Sequence, residues 1–312
     1  MKPKIIFIGG TPRGLAVMEM LIEQGQDVVQ AFILKEDDHE AGKVSRQVAE
    51  MSRKANIPFK ICKKIEAAEA PEVLAKNPDV AFVSGWRTMI PEELYQKIPL
   101  GCLAAHDSLL PKYRGCAPTV WAIINGEKET GVTLFKISDQ GVDAGDVFGQ
   151  KSVPIGENDT ATEIYPFIVQ ATVDLYQKFL EACQDDVVKF VMQDETRATY
   201  AEKRAPADGE IDWSRPAREV FNFIRALMPP YPRSWTLLDN DKIFIARASL
   251  SSEKQNTDGV QIGRLVSIAR DSVGVRCGDG IVLLHQIIDA QGNTRAAHEV
   301  LDDQNMVLGR DK

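Results

Sequence analysis

The run KIIFIGG, Lys4 to Gly10, restricts this chain more than any other stretch. It is apolar up to its glycines, with none of the polar alternation of a strand that faces water on one side. A strand of that kind is buried on both faces, as inside a parallel sheet. The residues after it obey the same logic. GLAVMEMLIEQG reads as a helix stopped by a glycine, DVVQAFIL as a second strand, and EAGKVSRQVAEMSRKANIP as a charged amphipathic helix running toward Pro58. DVAFVSG is a further strand, PEELYQKI a short helix with Pro91 at its start, and GCLAAH, ending at His106, another strand. Strands alternating with helices predict an α/β domain with a doubly wound, mostly parallel sheet. APTVWAIINGE then reads as a helix, and GVTLFKI and DVFGQKSVPI as strands. Thr160 and Glu163 have capping-box spacing. Ile164, Ile168, Ala171, Leu175 and Phe179 follow on one helical face, with Pro166 in the first turns.

Near residue 195 the pattern changes. DETRATYAEKRAPADGE is polar and holds Pro206 and Gly209, which suits a linker. One helix follows in IDWSRPAREVFNFIRALMPPYP. From Ser234 the apolar runs are short and separated by turns, the pattern of a small β-barrel. The expected organisation is an α/β domain over 1–194, a linker over 195–209 and a β-barrel domain over 210–312.

Charge and cysteine content narrow the partners. The formal net charge is −8, so bulk charge does not favour nucleic acid or membrane. The five cysteines are scattered and never spaced C-x-x-C, which argues against a zinc site or a disulfide framework. No apolar run approaches the ~18 residues of a membrane span, and the first one is too short for a signal-peptide core. A cytoplasmic protein is expected.

GGTPRG, Gly9 to Gly14, follows the first strand and opens a helix, where backbone N–H groups can hold a phosphate or carboxylate. It is not G-x-G-x-x-G, so a plain tight turn explains it equally well. His106 ends a parallel strand, the edge at which open α/β sheets place ligands, although a lone histidine also serves structure. SDQGVDAGD holds Asp139, Asp143 and Asp146 at a spacing wrong for an EF-hand. They are either solvated loop acids or include one that orients His106 and fixes its tautomer. There is no G-x-S-x-G, Walker or H-E-x-x-H pattern, and Ser108 lacks the elbow of a hydrolase nucleophile.

The longer stretch HDSLLPKYRGCAPTVWAIINGEKETGVTLFKISDQGVDAGDV strongly resembles the N10-formyltetrahydrofolate-dependent formyltransferases. These include methionyl-tRNA formyltransferase, sugar-nucleotide N-formyltransferases and formylation domains of peptide synthetases. The shared features are H-x-S-L-L-P-x-Y-R-G, a G-V-T strand and G-x-D-x-G-D. The likeness continues through AEKRAPADGEIDWSRPA into the C-terminal part, covering nearly the whole chain. It implies a Rossmann-like first domain, an OB-like barrel as the second, N10-formyltetrahydrofolate as co-substrate and no metal. It further implies an Asn-x-His pair and an aspartate as catalytic groups, falling on Ala104, His106 and Asp143. The histidine would shuttle a proton, the aspartate would orient it, and the asparagine amide would steady the oxyanion. SGWRTMIP falls where the family binds the pterin, through Gly85, Trp86, Arg87 and Ile90, with Gln140 and Val142 opposite. Trp86 and Ile90 would serve equally well as core residues. The amine substrate is implied near Gly10, Thr11 and Arg114.

Ala104 is the main departure, since alanine donates nothing. By analogy with oxyanion-hole deletions, the missing amide costs about 10²–10³ in rate, or roughly 3–4 kcal/mol. The chain is then a knock-out of the site, an enzyme whose donor comes from elsewhere, or a non-catalytic folate or nucleotide binder. For the acceptor, LKEDDHEAGKVSRQ lacks the basic Gly-Arg loop of the tRNA-acting members. From Pro206 to Lys312 there are 13 Lys and Arg against 15 Asp and Glu, a net −2, without the basic footprint of a nucleic-acid binder. RAPADGEIDW resembles the sugar-acting members and TYAEK the tRNA-acting ones. A nucleotide-linked amino sugar is the favoured acceptor and tRNA the alternative; no membrane partner is expected, and a homodimer is compatible with either.

Overall fold

In the computed structural model, residues 2–37, 43–239, 241–252 and 259–309 are described. Strand β1 (Lys4–Gly9) is buried from its second residue onward, as an unalternating apolar run requires. The chain continues through α1 (Thr11–Glu23), β2 (Asp27–Leu34), α2 (Ser45–Lys54), β3 (Phe59–Cys62), α3 (Ala70–Leu74), β4 (Val80–Ser84), α4 (Glu92–Lys97) and β5 (Cys102–His106). Next come β6 (Arg114–Gly115), α5 (Pro118–Ile124), β7 (Glu129–Lys136), β8 (Val147–Pro154), α6 (Ala161–Gln184) and β9 (Tyr200–Ala201). The first sheet has the order β3-β2-β1-β4-β5-β7-β8. Its first five strands run parallel, and β7 lies antiparallel to β5 with Thr133 opposite His106. The sheet is therefore mostly parallel, with its strand order reversing about β1. Residues 38–42, which include part of the stretch lacking a basic loop, lie outside the described residues.

Two local expectations are met in detail. Thr160 and Glu163 exchange capping hydrogen bonds, Thr160 N to Glu163 Oε2 (2.8 Å) and Glu163 N to Thr160 Oγ1 (3.4 Å). The face of Ile164, Ile168, Ala171, Leu175 and Phe179 is buried throughout. On the same helix, Tyr176 sets its hydroxyl against the carbonyls of Val83 (2.7 Å) and Leu103 (3.0 Å), tying α6 to adjacent points of β4 and β5.

The polypeptide divides into two compact units that interleave in sequence. One comprises Met1–Pro118, Thr130–Val153 and Pro166–Ala201; the other comprises Thr119–Glu129, Pro154–Tyr165 and Glu202–Lys312. The stretch expected as a linker is structured. It holds short 3₁₀ turns at Glu195–Arg197 and Pro206–Gly209, and β9, which pairs with β6 in the first unit.

The second unit contains α7 (Ala217–Ala226) and strands β10 (Trp235–Leu238), β11 (Asp241–Leu250), β12 (Leu265–Ile268), β13 (Val273–Arg276), β14 (Ile281–Ile288) and β15 (Thr294–Ala296). They form one antiparallel sheet ordered β10-β11-β14-β13-β12, with β15 also on β14. This is a curled sheet whose outer strands do not pair directly. Residues near the chain end bridge them instead: Leu308 N donates to Gly263 O (2.9 Å), Leu265 N to Met306 O (3.2 Å) and Gly309 N to Leu237 O (2.9 Å).

Candidate active site

The C-terminal edge of the first sheet carries His106, the last residue of β5. The ring is only 9% exposed. Its Nε2 lies 2.8 Å from the carbonyl of Tyr113. A carbonyl only accepts, so Nε2 bears the proton and the neutral ring is bare at Nδ1. That bare nitrogen faces Asp143 Oδ2 at 3.4 Å. Burial pushes the His106 pKa below the ordinary histidine value; the Asp143 carboxylate pulls it back up, and Arg13 adds a further downward push. The resting imidazole is therefore neutral at pH 7. Its lone pair and a carboxylate oxygen converge on one place for one proton. The Asp143 side chain, 21% exposed, is the more accessible member, and Oδ2 also accepts from Gly115 N at 2.9 Å.

Both loops that deliver these groups turn through left-handed backbone. Tyr113 has φ +60° and Asp143 φ +52°, a conformation that costs a non-glycine residue about 1–3 kcal/mol unless its surroundings impose it. The turn after His106 is braced from within and from β7. Ser108 Oγ donates to Lys112 O (2.6 Å), Thr133 Oγ1 donates to Ser108 O (2.6 Å), and Thr133 Oγ1 accepts from Leu110 N (3.0 Å). The Asp143 loop is held from outside its own strand pair. Gln193 Nε2 donates to the carbonyls of Asp143 (2.8 Å) and Gly145 (2.7 Å).

The Arg114 side chain, implied by the resemblance to lie near the amine substrate, is committed within the protein. It is 1% exposed and is occupied by Glu195 through a two-pronged ion pair (2.6 and 2.8 Å) and by Gln193 Oε1 (2.8 Å). A guanidinium with its fork engaged by a carboxylate has little left for a ligand.

Gly10, Thr11 and Gly85 do come together. Gly10 N donates to Ser84 O (3.1 Å), which draws the β1–α1 turn onto the end of β4. Gly85 sits at φ +70°, and a Cβ there would lie 2.1 Å from Gly10 O and 2.3 Å from Thr11 Oγ1; only glycine fits. Around this cradle, Thr11 Oγ1, Ser84 Oγ and Trp86 Nε1 are buried without a hydrogen-bond partner among the described residues. Buried polar atoms are nearly always satisfied, and these three belong to residues at or next to the cradle. Trp86 and Ala104 pack against the same apolar cluster, which includes Ile90. Arg87 and Gln140 are exposed, and Val142 presents an apolar side chain at 57% exposure. Asp139, Asp143 and Asp146 form no metal cluster; none exists among the described residues. No described helix is long and apolar enough to cross a membrane.

Sequence reasoning brings His106 and Asp143 forward but passes over Tyr113 O, Gly115 N, Gln193 and Glu195. The first two are main-chain groups that every residue type carries, so no side chain advertises them. Glu195 sits in the polar stretch whose composition reads as a linker, and Gln193 lies two residues before Glu195 with no pattern that marks it.

Residues 3–180 match the formyl transferase family and residues 203–305 the formyl transferase C-terminal domain. The chain belongs to the formyl transferase family. Relatives in the family include a methionyl-tRNA formyltransferase of Citrifermentans bemidjiense, 30% identical over 91% of this chain and 88% of that protein. The bifunctional polymyxin resistance protein ArnA of Wigglesworthia glossinidia brevipalpis is 34% identical over 82% of this chain. The fold is shared with an N-formyltransferase from Helicobacter canadensis, solved with folinic acid and dTDP-3-aminofucose (TM-score 0.69, 21% identity, 91% of this chain and 99% of that one). It is also shared with HypX from Aquifex aeolicus, solved with tetrahydrofolic acid (TM-score 0.64, 18% identity, 96% of this chain). The chain spans 39% of that ArnA and 47% of HypX.

Proposed function

We propose that this formyl transferase moves a formyl group from N10-formyltetrahydrofolate to a primary amine, with a nucleotide-linked amino sugar as acceptor. One observation carries the reading. A neutral imidazole, its tautomer locked by Tyr113 O, points its bare nitrogen at Asp143, at the same C-terminal edge of the parallel strands as the Gly10–Thr11–Gly85 cradle. Formyl transfer to an amine needs one proton taken up and later returned. As the amine nitrogen bonds to the formyl carbon, the carbonyl electron pair moves to oxygen. The amine proton enters the His106–Asp143 pair through the more exposed carboxylate. When the carbon–nitrogen bond to the folate breaks, the departing nitrogen takes that proton back and the carbonyl reforms.

Gly85, Trp86, Arg87 and Ile90, with Gln140 and Val142, are proposed to line the pterin. The unpartnered Trp86 Nε1 and Ser84 Oγ are donors that a ring rich in nitrogen and oxygen would use. Folate ligands in the Helicobacter canadensis and HypX structures support this assignment. Ala104 supplies no amide to the oxyanion. Among its neighbours on the apolar cluster, Trp86 has the free indole N–H.

The sugar acceptor draws on the dTDP-3-aminofucose in the Helicobacter canadensis enzyme and on the acidic balance of the C-terminal residues. The second acceptor reading, methionyl-tRNA, draws on relatives matched over nine-tenths of the chain. A transfer assay on this chain and on Ala104→Asn, with a dTDP-amino sugar and with methionyl-tRNA, tests all of it. Formyl is expected on the sugar amine, with the asparagine raising the rate about 10²–10³-fold. Transfer to tRNA alone, with steeply salt-dependent binding, overturns the acceptor. Folate binding without transfer by either form overturns the enzyme reading.

A further inference from the structure

The segment from Gln193 to Ala201 touches both loops of the site. At one end Gln193 Nε2 donates to Asp143 O and Gly145 O. At the other, Tyr113 N donates to Thr199 Oγ1 (2.8 Å), Arg114 N to Thr199 O (2.8 Å) and Thr199 N to Pro111 O (3.1 Å). The β6–β9 pairing continues that contact to Gly115 and Ala201. Arg114, next to Tyr113, holds Gln193 Oε1 and Glu195 at once, so the Gln193 end is also tied to the loop after His106.

The two points it holds are the two that matter most for the imidazole. Asp143 faces Nδ1, and Tyr113 supplies the carbonyl that keeps the proton on Nε2. Both residues are left-handed without being glycine, so neither loop would keep its shape without external support. We propose that Gln193–Ala201 is a strap that sets the geometry of the catalytic pair, with Gln193 positioning Asp143 and Thr199 positioning Tyr113. Neither strap residue takes part in the chemistry. The division of labour is specific: Gln193 governs how the carboxylate acts on Nδ1, and Thr199 governs which ring nitrogen carries the proton. The inference rests on the proposed roles of His106 and Asp143.

Two variants, and a conservative control for the second, separate positioning from a general structural role. Gln193→Glu keeps size and the acceptor for Arg114 but replaces a double donor with an oxygen that repels both carbonyls. Thr199→Val removes the acceptor for Tyr113 N, and Thr199→Ser retains it. The charged groups acting on the ring are Asp143 and Arg13, so a carboxylate that drifts away leaves Arg13 and burial in control. Nitrogen-15 NMR of His106 in the ligand-free protein, with thermal unfolding alongside, is the primary readout. In Gln193→Glu the ring is expected to stay Nε2-protonated but to titrate at a pH different from the parent's, because the displaced Asp143 carboxylate and the added one act on it in opposite directions. In Thr199→Val the Nδ1-protonated tautomer is expected to become visible, and in Thr199→Ser it is not. In the transfer assay, kcat for Gln193→Glu should fall about 10²-fold, the effect of roughly 1 Å of misplacement, with KM for the formyl donor little changed.

His106 spectra indistinguishable from the parent in both folded variants overturn the strap. So does a Thr199→Ser variant that behaves like Thr199→Val. If the parent transfers no formyl group to any amine while the NMR changes appear as expected, the strap stands and the enzymatic reading alone falls.

Discussion

Two histidines in this molecule are locked in the same way and differ in everything around the lock. His106 donates from Nε2 to Tyr113 O and turns its bare nitrogen to Asp143. His285, on β14 of the second unit, sets Nδ1 2.9 Å from Asp271 O and Nε2 2.8 Å from Ser249 Oγ. By the same rule that a carbonyl only accepts, its Nδ1 bears the proton and Nε2 takes the serine hydroxyl. A fixed tautomer is thus easily built and does not by itself make an active site. What distinguishes His106 is burial, a charged partner, two left-handed residues held in place and unpartnered polar atoms nearby. His285 bonds the carbonyl of Asp271, in the turn before β13, and the hydroxyl of Ser249 on β11, beside a register shift in the β11–β14 pairing, and no charged side chain faces it in these two bonds.

The comparison breaks most easily at the rings themselves. His106→Asn should lower kcat/KM for formyl transfer about 10²–10⁴-fold, the usual worth of an acid–base group, while His285→Asn should leave it unchanged. Similar losses from both would end the distinction. Next in size is Asp143→Asn, which keeps the shape but not the charge. A loss of about 10²-fold is expected in kcat, against none for Ser249→Ala, measured under donor saturation. Trp86→Phe should cost less, about tenfold, since it removes one indole N–H from the donor site. A titration of donor binding in parallel with kcat would assign the loss to ground state or transition state.

The smallest effect is on stability and sharpens the burial argument. His106 has a folded pKa below its unfolded value near 6.5. As pH falls through that value the unfolded chain binds a proton that the native ring refuses, so native stability declines. The contribution is present above about pH 6.5 and is lost progressively below it. His106→Asn should therefore flatten the fall in Tm between about pH 6.5 and 5, a change that differential scanning calorimetry reads directly.

Reading the chain without its fold succeeds where the signal is local and periodic. The capping box at Thr160 and the buried face of α6 follow from spacing alone. β3 escapes that reading. It is an edge strand of four residues whose side chains are all half-buried or exposed, so FKIC shows neither alternation nor a continuous apolar run. GVTLFKI is legible as a strand, but its antiparallel placement against β5 is not, because direction is a property of the pairing and not of the residues. Arg114 shows the converse. The family resemblance implies a substrate contact there, and the fold commits its guanidinium to Gln193 and Glu195, about 80 residues further along.

The family resemblance singled out Asp143 from Asp139 and Asp146; by itself, the sequence determined the mostly parallel α/β unit, the β-rich run toward the C-terminus, and His106 at the end of a buried strand. Apolar periodicity and residue type carry that information, and both are written one position at a time. Only the tertiary structure decided which nitrogen of His106 holds its proton, how near Asp143 stands, and that a polar stretch resembling a linker braces them both. Those features depend on main-chain carbonyls and amides meeting across long separations in the chain. Every residue offers the same main-chain groups, and folding alone selects which of them meet.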